Sequence, residues 1–516
     1  MPEEARIRRR RSIPTNVGQR VRKPGRIHHP KDNVEQWETV RVLLISTYDL
    51  GRQPFGLASP AAWLRREGIN VDCVDTSREP LTDARIAEAG LIAFYLPMHT
   101  ATRLAAPLIA RVRGVNPSAR LAAYGLYAPL NANWLGEQGV EAVLGPEAEA
   151  DLVRLSKSQL PTAPPSRDDS QMRFGEASPK LVARIAARQA EAGNSQTRLR
   201  FIQPDRTTLP PLARYASLQM PDGTRRVVGA TEATRGCKHL CRHCPIVPVY
   251  GGTFRAIPLD VVRDDVRTQV AAGAQHISFG DPDFLNGPTH ARRLVEAIAS
   301  EFPGLTYDVT IKIEHILRHV EMLGLLRDTG CLMITSAVES VDDDVLLKLR
   351  KGHTRADFIS AVNACRHAGV ALAPTFVPFT PWTTVDGYVD LLAQIDSLHL
   401  TEAVAPIQLA IRLLVTAESK LMELPDIRDH VEPFDAQSLT FPWRHRDPRV
   451  DELQRGVTQI VAGASRSSRS DVFDRIWALA TGAAARTSRV RGLTPPYMTE
   501  GWYCCAEPGP EQLDLV

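Results

Sequence analysis

The stretch Arg235-Gly236-Cys237-Lys238-His239-Leu240-Cys241-Arg242-His243-Cys244-Pro245 places three cysteines at C-x3-C-x2-C spacing. It follows the apolar run 227–230, which predicts a strand. Thiolates are soft ligands that suit iron–sulfur chemistry, and three of them on one tight loop hold three irons of a cubane. The spacing therefore predicts a [4Fe-4S] cluster on Cys237, Cys241 and Cys244, with its fourth iron open to a substrate or cofactor.

Two other uses of these cysteines stay open on spacing alone. A structural zinc site takes four ligands, and His239 and His243 lie in the same loop to complete one. A disulfide needs an oxidising compartment, and no signal peptide opens the chain. We therefore weigh the cluster first and a zinc-stabilised binding protein as the alternative from another class.

Composition sets broad limits on the chain. Its 516 residues predict two or three domains, and 43% hydrophobic with 23% charged residues is typical of a globular protein. A net charge of +3 gives no nucleic-acid footprint, and no apolar run is long enough to cross a bilayer. With only eight cysteines, we expect a reducing cytoplasmic location.

The segment 1–37 is rich in arginine and poor in large apolar residues. It buries too little surface to offset the entropy of ordering, so we predict a disordered basic tail. An arm that binds nucleic acid is the alternative.

Residues 38–155 alternate apolar runs with helical patterns. The predicted strands are 42–46, 71–74, 91–95, 120–124 and 142–144. Helices are predicted at 83–89, 100–113 and 131–138, and another opens with Ser59 as its cap and Pro60 in its first turn. Five strands with crossover helices predict a flavodoxin-like doubly wound domain.

After a connector at 156–225, the alternation resumes over 226–430. Predicted strands at 277–279, 306–313, 332–340, 370–376 and within 403–414 join the strand before the cysteines. Six such units predict a partial (β/α)6 barrel, whose chemistry gathers at the carboxyl ends of its strands. We expect Gly280, Asp281, Ser336, Glu339 and Arg412 to lie at the carboxyl ends of the strands. Residues 431–516 predict a small helical region with a Cys-Cys tail.

The cysteine loop and the units after it resemble the radical S-adenosylmethionine (SAM) superfamily. The resemblance implies that SAM chelates the open iron and is cleaved reductively, with electrons from a donor such as flavodoxin or ferredoxin. It further implies that Gly280 and Asp281 hold the SAM amino group, and that Ser336 and Glu339 contact its ribose and methionine portions. One departure is His243, since many members carry an aromatic residue just before the third cysteine.

The first domain resembles the cobalamin-binding domain that precedes many radical SAM cores. Gly145-Pro146-Glu147-Ala148-Glu149 looks like the Gly-Glu-x-Glu ending of such domains. The axial-histidine signature Asp-x-His-x-x-Gly is absent from the loop 47–51. Cobalamin binding without a protein axial ligand and an empty scaffold are both open, and His99 is a candidate site residue.

The sequence Cys504-Cys505-Ala506-Glu507-Pro508 resembles the tail of the CUAEP/CCAEP-tail radical SAM proteins. By that resemblance, Cys504 and Cys505 are catalytic and hold a thiophilic substrate, such as trivalent arsenic, beside the cluster. A redox dithiol, ligands of an added cluster and an inert tail are the alternatives.

Two enzymatic hypotheses result, both with a small-molecule substrate. The first is transfer of the 3-amino-3-carboxypropyl group of SAM to an arsenical held by the tail. The second is a cobalamin-dependent radical SAM methyltransferase or cyclase.

Overall fold

The computed structural model describes residues 41–158, 199–464, 467–483 and 494–500. The basic segment 1–37 and the pair Cys504 and Cys505 lie outside these residues. Two large sheets confirm the predicted α/β class, with a flavodoxin-like domain, a partial barrel and a helical region after it.

The first sheet consists of five parallel strands. They are β1 Val42–Ser46, β2 Val71–Asp75, β3 Leu91–Tyr95, β4 Arg120–Tyr124 and β5 Ala142–Val143. The order β2-β1-β3-β4-β5 is that of a flavodoxin-like sheet. Because the order reverses between β1 and β3, the loops after these strands flank a crevice, where such sheets bind ligands.

Helix α1 begins earlier than the sequence predicts. It spans Phe55–Arg66, so Ser59 and Pro60 lie inside the helix and not at its start. Pro60 has no N–H to donate to the Gly56 carbonyl, and the Tyr124 hydroxyl donates to that oxygen at 2.8 Å. The Gly56 carbonyl, which Pro60 leaves without its helical donor, is therefore satisfied by a hydrogen bond from Tyr124 of β4. The remaining helices of this domain are α2 Asp83–Ala87, α3 His99–Val115, α4 Ala132–Glu137 and α5 Glu149–Lys157.

The second sheet is a half-barrel edged by two antiparallel strands. Its members are β6 Ser217–Gln219, β7 Arg225–Thr231, β10 His276–Phe279, β11 Thr306–Thr310, β12 Cys331–Glu339, β13 Ala371–Phe376 and β14 Tyr497–Met498. They run in the order β13-β12-β11-β10-β7-β6-β14, and the pairs from β7 to β13 are parallel. A separate hairpin of β8 Thr234–Gly236 and β9 Phe254–Ala256 frames the cysteine loop.

The sixth barrel unit differs from the prediction. The segment 403–414 contains a 3-10 turn at Pro406–Leu409 and only a parallel bridge between Arg412 and Phe379. The Leu413 amide donates to the Phe379 carbonyl at 2.8 Å, as part of this bridge. The parallel pairing therefore extends over one residue pair and does not form a sixth strand. Five parallel strands and this bridge therefore form the barrel.

Helices cover the outer face of the half-barrel. They are α6 Ile246–Tyr250, α7 Leu259–Ala271, α8 Pro288–Glu301, α9 Ile313–Arg318, α10 Glu321–Asp328, α11 Asp343–Leu349, α12 Arg355–Ala368, α13 Val385–Ser397, α14 Pro425–Arg428, α15 Pro448–Ala462 and α16 Arg469–Thr481. One apolar core joins most of these helices to the sheet and includes α15 and α16. Helices α11 and α14 pack in a separate apolar cluster, and α6 lines the cavity. In the described part of the chain, no helix has the length and apolar character needed to span a bilayer.

Candidate functional site

The cysteine loop leaves the barrel directly after β8. Gly236 has φ +81°, and a Cβ at this position would lie 2.5 Å from the Thr253 carbonyl oxygen, so glycine is required here. The loop then buries Cys237 and Cys241 and leaves Cys244 half-buried. All three thiols line one cavity at the carboxyl ends of the strands. The predicted cluster ligands are therefore brought together.

The chemistry of this donor set fits a cluster. Burial raises the pKa of the Cys237 thiol to about 11, so it becomes a thiolate when a bound metal displaces the proton. Burial lowers the pKa of Lys351, but the nearby negative charges, above all that of Glu339, outweigh it and raise the pKa, so an ammonium lines the same cavity as the thiols. Lys351 therefore offsets part of the negative charge that three thiolates bring.

Both histidines of the loop contact carboxylates on neighbouring units. His243 Nε2 lies 3.0 Å from Glu339 Oε1, and His239 Nε2 lies 3.2 Å from Asp283 Oδ2. The two histidines therefore face different carboxylates on different units of the barrel.

Glu339 sits at the centre of a buried charge cluster. It ends β12 with φ +69°, where the pairing with β13 shifts register. Its Oε1 accepts hydrogen bonds from Lys351 Nζ at 3.2 Å and from His243 at 3.0 Å. Burial alone raises the pKa of Glu339, but the charge of Lys351 and the contact with His243 outweigh it and lower the pKa to about 2. Glu339 is therefore an anion at neutral pH.

The other predicted SAM contacts have different surroundings. Gly280 lines the cavity. Asp281 is fully buried and accepts hydrogen bonds from the Ala233 amide at 2.9 Å and the Thr234 hydroxyl at 2.5 Å, so its side chain holds the chain before the cysteine loop. Ser336 is buried on the face of β12 opposite to the cavity-lining Thr335 and Ala337. Glu339 and Gly280 therefore line the cavity, whereas the side chains of Asp281 and Ser336 are buried in the interior of the protein.

The cavity measures about 340 Å³ and lies between the carboxyl ends of the two sheets. Its barrel side carries Thr310, Lys312, Thr335, Glu339 and Lys351. The side formed by the first domain is mostly apolar and aromatic: Leu50, Phe55, Tyr95, Met98, Tyr124, Leu126 and Tyr127. A polar wall with three thiols therefore faces an apolar wall across one space.

That apolar wall suits a large, flat organic cofactor, because ligand cavities are lined mainly by apolar and aromatic groups. Its residues come from the ends of β3 and β4, from the loops after β1, β3 and β4, and from the start of α1, at the crevice of the sheet. The candidate His99 begins α3, is 1% exposed and has its ring 6.3 Å from that of Tyr127. The histidines among the described lining residues are His239 and His243, both on the cysteine loop.

A buried ion-pair network joins the two walls, and sequence reasoning missed it. Glu149 Oε1 accepts from Arg235 Nη1 at 2.7 Å and from the Ser59 hydroxyl at 2.7 Å, while Arg235 Nε donates to Glu232 at 2.8 Å. Glu149 belongs to the Gly-Pro-Glu-Ala-Glu motif, and Arg235 stands two residues before the first cysteine. Both motifs were visible in the sequence, but their pairing was not.

The end of the described chain returns to the first domain. Strand β14 pairs antiparallel with β6, and Glu500 Oε2 then lies 3.2 Å from Arg78 Nη2. Glu500 also lies against Gly51, next to the cavity-lining Leu50 and Arg52. Cys504 and Cys505 follow by four and five residues in the sequence. Their catalytic role stays a prediction.

Comparison with known proteins agrees with this geometry. Residues 231–390 match the family model described as the radical SAM superfamily. Bacteriochlorophyllide d C-12(1)-methyltransferase of Chlorobaculum tepidum is 30% identical over 138 residues, which cover 26% of this chain and 30% of that enzyme. The chain thus matches less than a third of the length of this relative.

Two solved structures share the arrangement of both domains. The cobalamin-dependent SAM radical enzyme OxsB, solved with aqua-cobalamin bound, superposes with a TM-score of 0.58 at 12% identity, covering 86% of this chain and 72% of OxsB. The radical SAM methyltransferase TsrM from Kitasatospora setae, solved with cobalamin and a [4Fe-4S] cluster, gives 0.51 at 17% identity and covers 70% of each chain. At these identities the likeness shows the fold. Residues 231–390, which include the cysteine loop, therefore form a radical SAM domain.

Proposed function

We propose that this chain is a cobalamin-dependent radical SAM methyltransferase that acts on a small molecule. One observation carries the proposal: a single cavity joins the three thiols of the cysteine loop to the apolar wall of the flavodoxin-like domain.

Cys237, Cys241 and Cys244 would hold the [4Fe-4S] cluster, which supplies the electron for reductive cleavage of SAM when both are bound. The chain's own part is to orient SAM and to keep water away. Glu339 is a buried anion 3.0 Å from His243, so it is suited to accept hydrogen bonds from a ligand beside the loop. Gly280 lines the cavity, and a Cβ there would be in ordinary van der Waals contact with the Thr231 carbonyl oxygen, at 3.5 Å.

The wall of Tyr95, Tyr124, Leu126 and Tyr127 would hold cobalamin, which supplies a methyl carrier when bound. The described lining contains no histidine from the first domain, so we propose binding without a histidine ligand from that domain. Support comes from OxsB and TsrM, which share the fold and were solved with cobalamin bound.

Methyl transfer is preferred to carboxypropyl transfer for two reasons. The similar proteins include a methyltransferase of bacteriochlorophyllide and the methyltransferase TsrM, which favours the cobalamin hypothesis. Transfer to an arsenical depends on Cys504 and Cys505, which lie outside the described residues. A small-molecule substrate and an electron donor such as flavodoxin or ferredoxin complete the proposal.

The test begins with anaerobic reconstitution of the full chain with iron, sulfide and hydroxocobalamin. We expect acid-labile sulfide, a retained corrinoid absorbance, and turnover that yields 5′-deoxyadenosine with S-adenosylhomocysteine. Accumulation of methylthioadenosine would instead indicate carboxypropyl transfer. A full cluster with no retained corrinoid would refute the cobalamin proposal and leave the superfamily assignment intact.

Variants locate the corrinoid without relying on turnover. Leu126→Trp fills the apolar wall, so we expect loss of the corrinoid on gel filtration with an unchanged iron content. Leu144→Trp is the matched control, because Leu144 is another half-buried leucine just after a strand of the same sheet and lies outside the cavity lining. Equal corrinoid retention by the two variants would contradict the proposed position.

A further inference from the structure

Beside the cysteine loop lies a second group of potential metal ligands, formed by His239, Asp283 and His315. His239 stands between the first two cysteines, Asp283 follows β10, and His315 lies in α9 after β11. His315 Nδ1 is 2.6 Å and His239 Nε2 is 3.2 Å from the same oxygen, Asp283 Oδ2. One ligand atom from each residue lies within 4.8 Å of the other two. Three separate units of the barrel thus converge on one point.

Hydrogen bonding does not account for this convergence. Asp283 Oδ1 accepts from the Leu285 amide at 3.2 Å, but its buried Oδ2 has no hydrogen bond of acceptable geometry. The same holds for His239 Nε2 and for both ring nitrogens of His315, although His315 is fully buried. Buried polar groups are nearly always hydrogen-bonded, so three such atoms that face one another, one from each residue, indicate a site for a cation.

Another buried histidine–aspartate pair in the same barrel shows the contrast. His276 contacts the Thr306 hydroxyl through Nδ1 at 2.9 Å and Asp308 Oδ1 through Nε2 at 2.9 Å. Asp308 Oδ2 in turn accepts from the Ser278 hydroxyl at 3.1 Å. That pair is satisfied by protein groups alone, whereas the group at Asp283 is not.

Two imidazoles and one carboxylate form a ligand set for divalent first-row transition metals. Histidine ligands of a metal commonly direct the other ring nitrogen to a carboxylate, which fixes the ring and its tautomer. His239 Nδ1 lies 3.6 Å from Glu314 Oε2, in the place of such a partner. Lys312 is the nearby cation, and its Nζ is 3.6 Å from the same Glu314 oxygen, which offsets its charge.

We propose that His239, Asp283 and His315 together bind one divalent first-row transition-metal ion, of the Zn²⁺ or Fe²⁺ class. This ion is separate from the iron ions that the three cysteines would hold. The ion joins the cysteine loop to the exits of β10 and β11 and so fixes the position of the segment between Cys237 and Cys241. This site goes beyond the proposed function and does not depend on cobalamin or SAM.

The experiment uses the full chain with its reconstituted, oxidised cluster, which gives no electron paramagnetic resonance signal. Co²⁺ is added as the probe, and bound cobalt is counted by mass spectrometry and by its own resonance signal. We expect one equivalent of Co²⁺, displaced by Zn²⁺. Asp283→Asn and His315→Ala lose it, while Asp308→Asn in the matched pair retains it with unchanged cluster sulfide.

A milder variant protects the test against misfolding of the buried substitutions. The side chain of Glu314 is a quarter exposed, and Glu314 is not itself a ligand in the proposal. Because its carboxylate lies beside the other ring nitrogen of His239, Glu314→Gln should weaken Co²⁺ binding about 10- to 100-fold. No stoichiometric Co²⁺ on the wild type would overturn the proposal, as would equal losses in Asp283→Asn and Asp308→Asn. Because cluster sulfide is measured in the same samples, failure of the cluster would be recognised separately.

Discussion

Glu339 and Lys351 form an ion pair in which neither side chain is more than about a tenth exposed. The motif Lys351-Gly352-His353-Thr354 follows α11, and its lysine reaches back 12 residues to the end of β12. His243 contacts the same carboxylate oxygen from the cysteine loop. The departure from an aromatic residue at 243 therefore has a partner in this chain, because a histidine here bonds to Glu339.

Glu339→Gln should destabilise the protein by about 3–5 kcal/mol, because it leaves the buried Lys351 without a countercharge. Lys351→Met combined with Glu339→Gln should recover most of that loss. Anaerobic denaturant unfolding of the single and double variants measures the difference. A double variant that is no more stable than Glu339→Gln would contradict the pairing.

Asp281 gives the folded protein a pH dependence. Burial raises the pKa of Asp281 to about 7, although Ala233 and Thr234 donate hydrogen bonds to it. Between about pH 4 and pH 7 the folded state therefore holds a proton that the unfolded state has released, so the free energy of unfolding falls as pH rises. Asp281→Asn should remove this part of the slope, as measured by unfolding at pH 5 and pH 8. Parallel slopes for the two proteins would contradict the assignment.

Two elements are tied together at Glu149, the first residue of α5. Its Oε1 accepts from Ser59 inside α1 and from Arg235 at the cysteine hairpin, and the residue is 1% exposed. Because α1 begins at Phe55, Ser59 lies inside the helix, where it contacts Glu149 of α5 and does not cap the helix start. The connector adds a second tie, in which Arg206 bonds Gln53, Asp265 and the Ala230 carbonyl.

Glu149→Gln should cost about 1–3 kcal/mol, because a neutral amide no longer compensates the buried Arg235 guanidinium. Lys157→Met is the control on the same helix, since its pair with Glu67 is solvent-exposed and its loss should change the stability much less. Thermal or denaturant unfolding compares the two variants. If both shift stability equally, the buried contact has no special role.

Across the whole molecule, the cavity forms where the two sheets meet, so a ligand bound there contacts both. The buried ion pair of Arg235 and Glu149 crosses the same junction. Arg206 also connects the two sides, because it pairs with Asp265 of the barrel and donates to Gln53 of the first domain. The two sheets should therefore respond to a ligand as one cooperative unit.

Hydroxocobalamin at about 100 times its dissociation constant should stabilise the protein by about 2.7 kcal/mol if it binds only the folded state. Hydrogen exchange should then slow in peptides from both β1–β5 and β7–β13. The control is Leu126→Trp at the same cobalamin concentration, for which we expect little added protection. Protection confined to the first sheet would show that the two sheets open independently.

Much of this architecture was predictable because it depends on local pattern. Short apolar runs such as 42–46 and 331–339 are typical of strands in sheets that are covered on both faces, and helices between such strands are typical of parallel sheets. The cysteine spacing likewise identifies the loop, since the ligand geometry lies within eight consecutive residues, Cys237 to Cys244. Gly280 and Glu339 were placed near the cavity for the same reason, as they end or follow strands.

Local sequence patterns were therefore enough to predict the two sheets, their succession along the chain and the cysteine loop, because each depends on neighbours a few residues apart. Three features could be seen only once the chain was folded: Asp281 and Ser336 point inward, Glu149 meets Arg235 across 86 residues, and His239, Asp283 and His315 converge. The physical reason is that these contacts depend on how separate units dock, on a register shift in β12 and on the direction of each side chain.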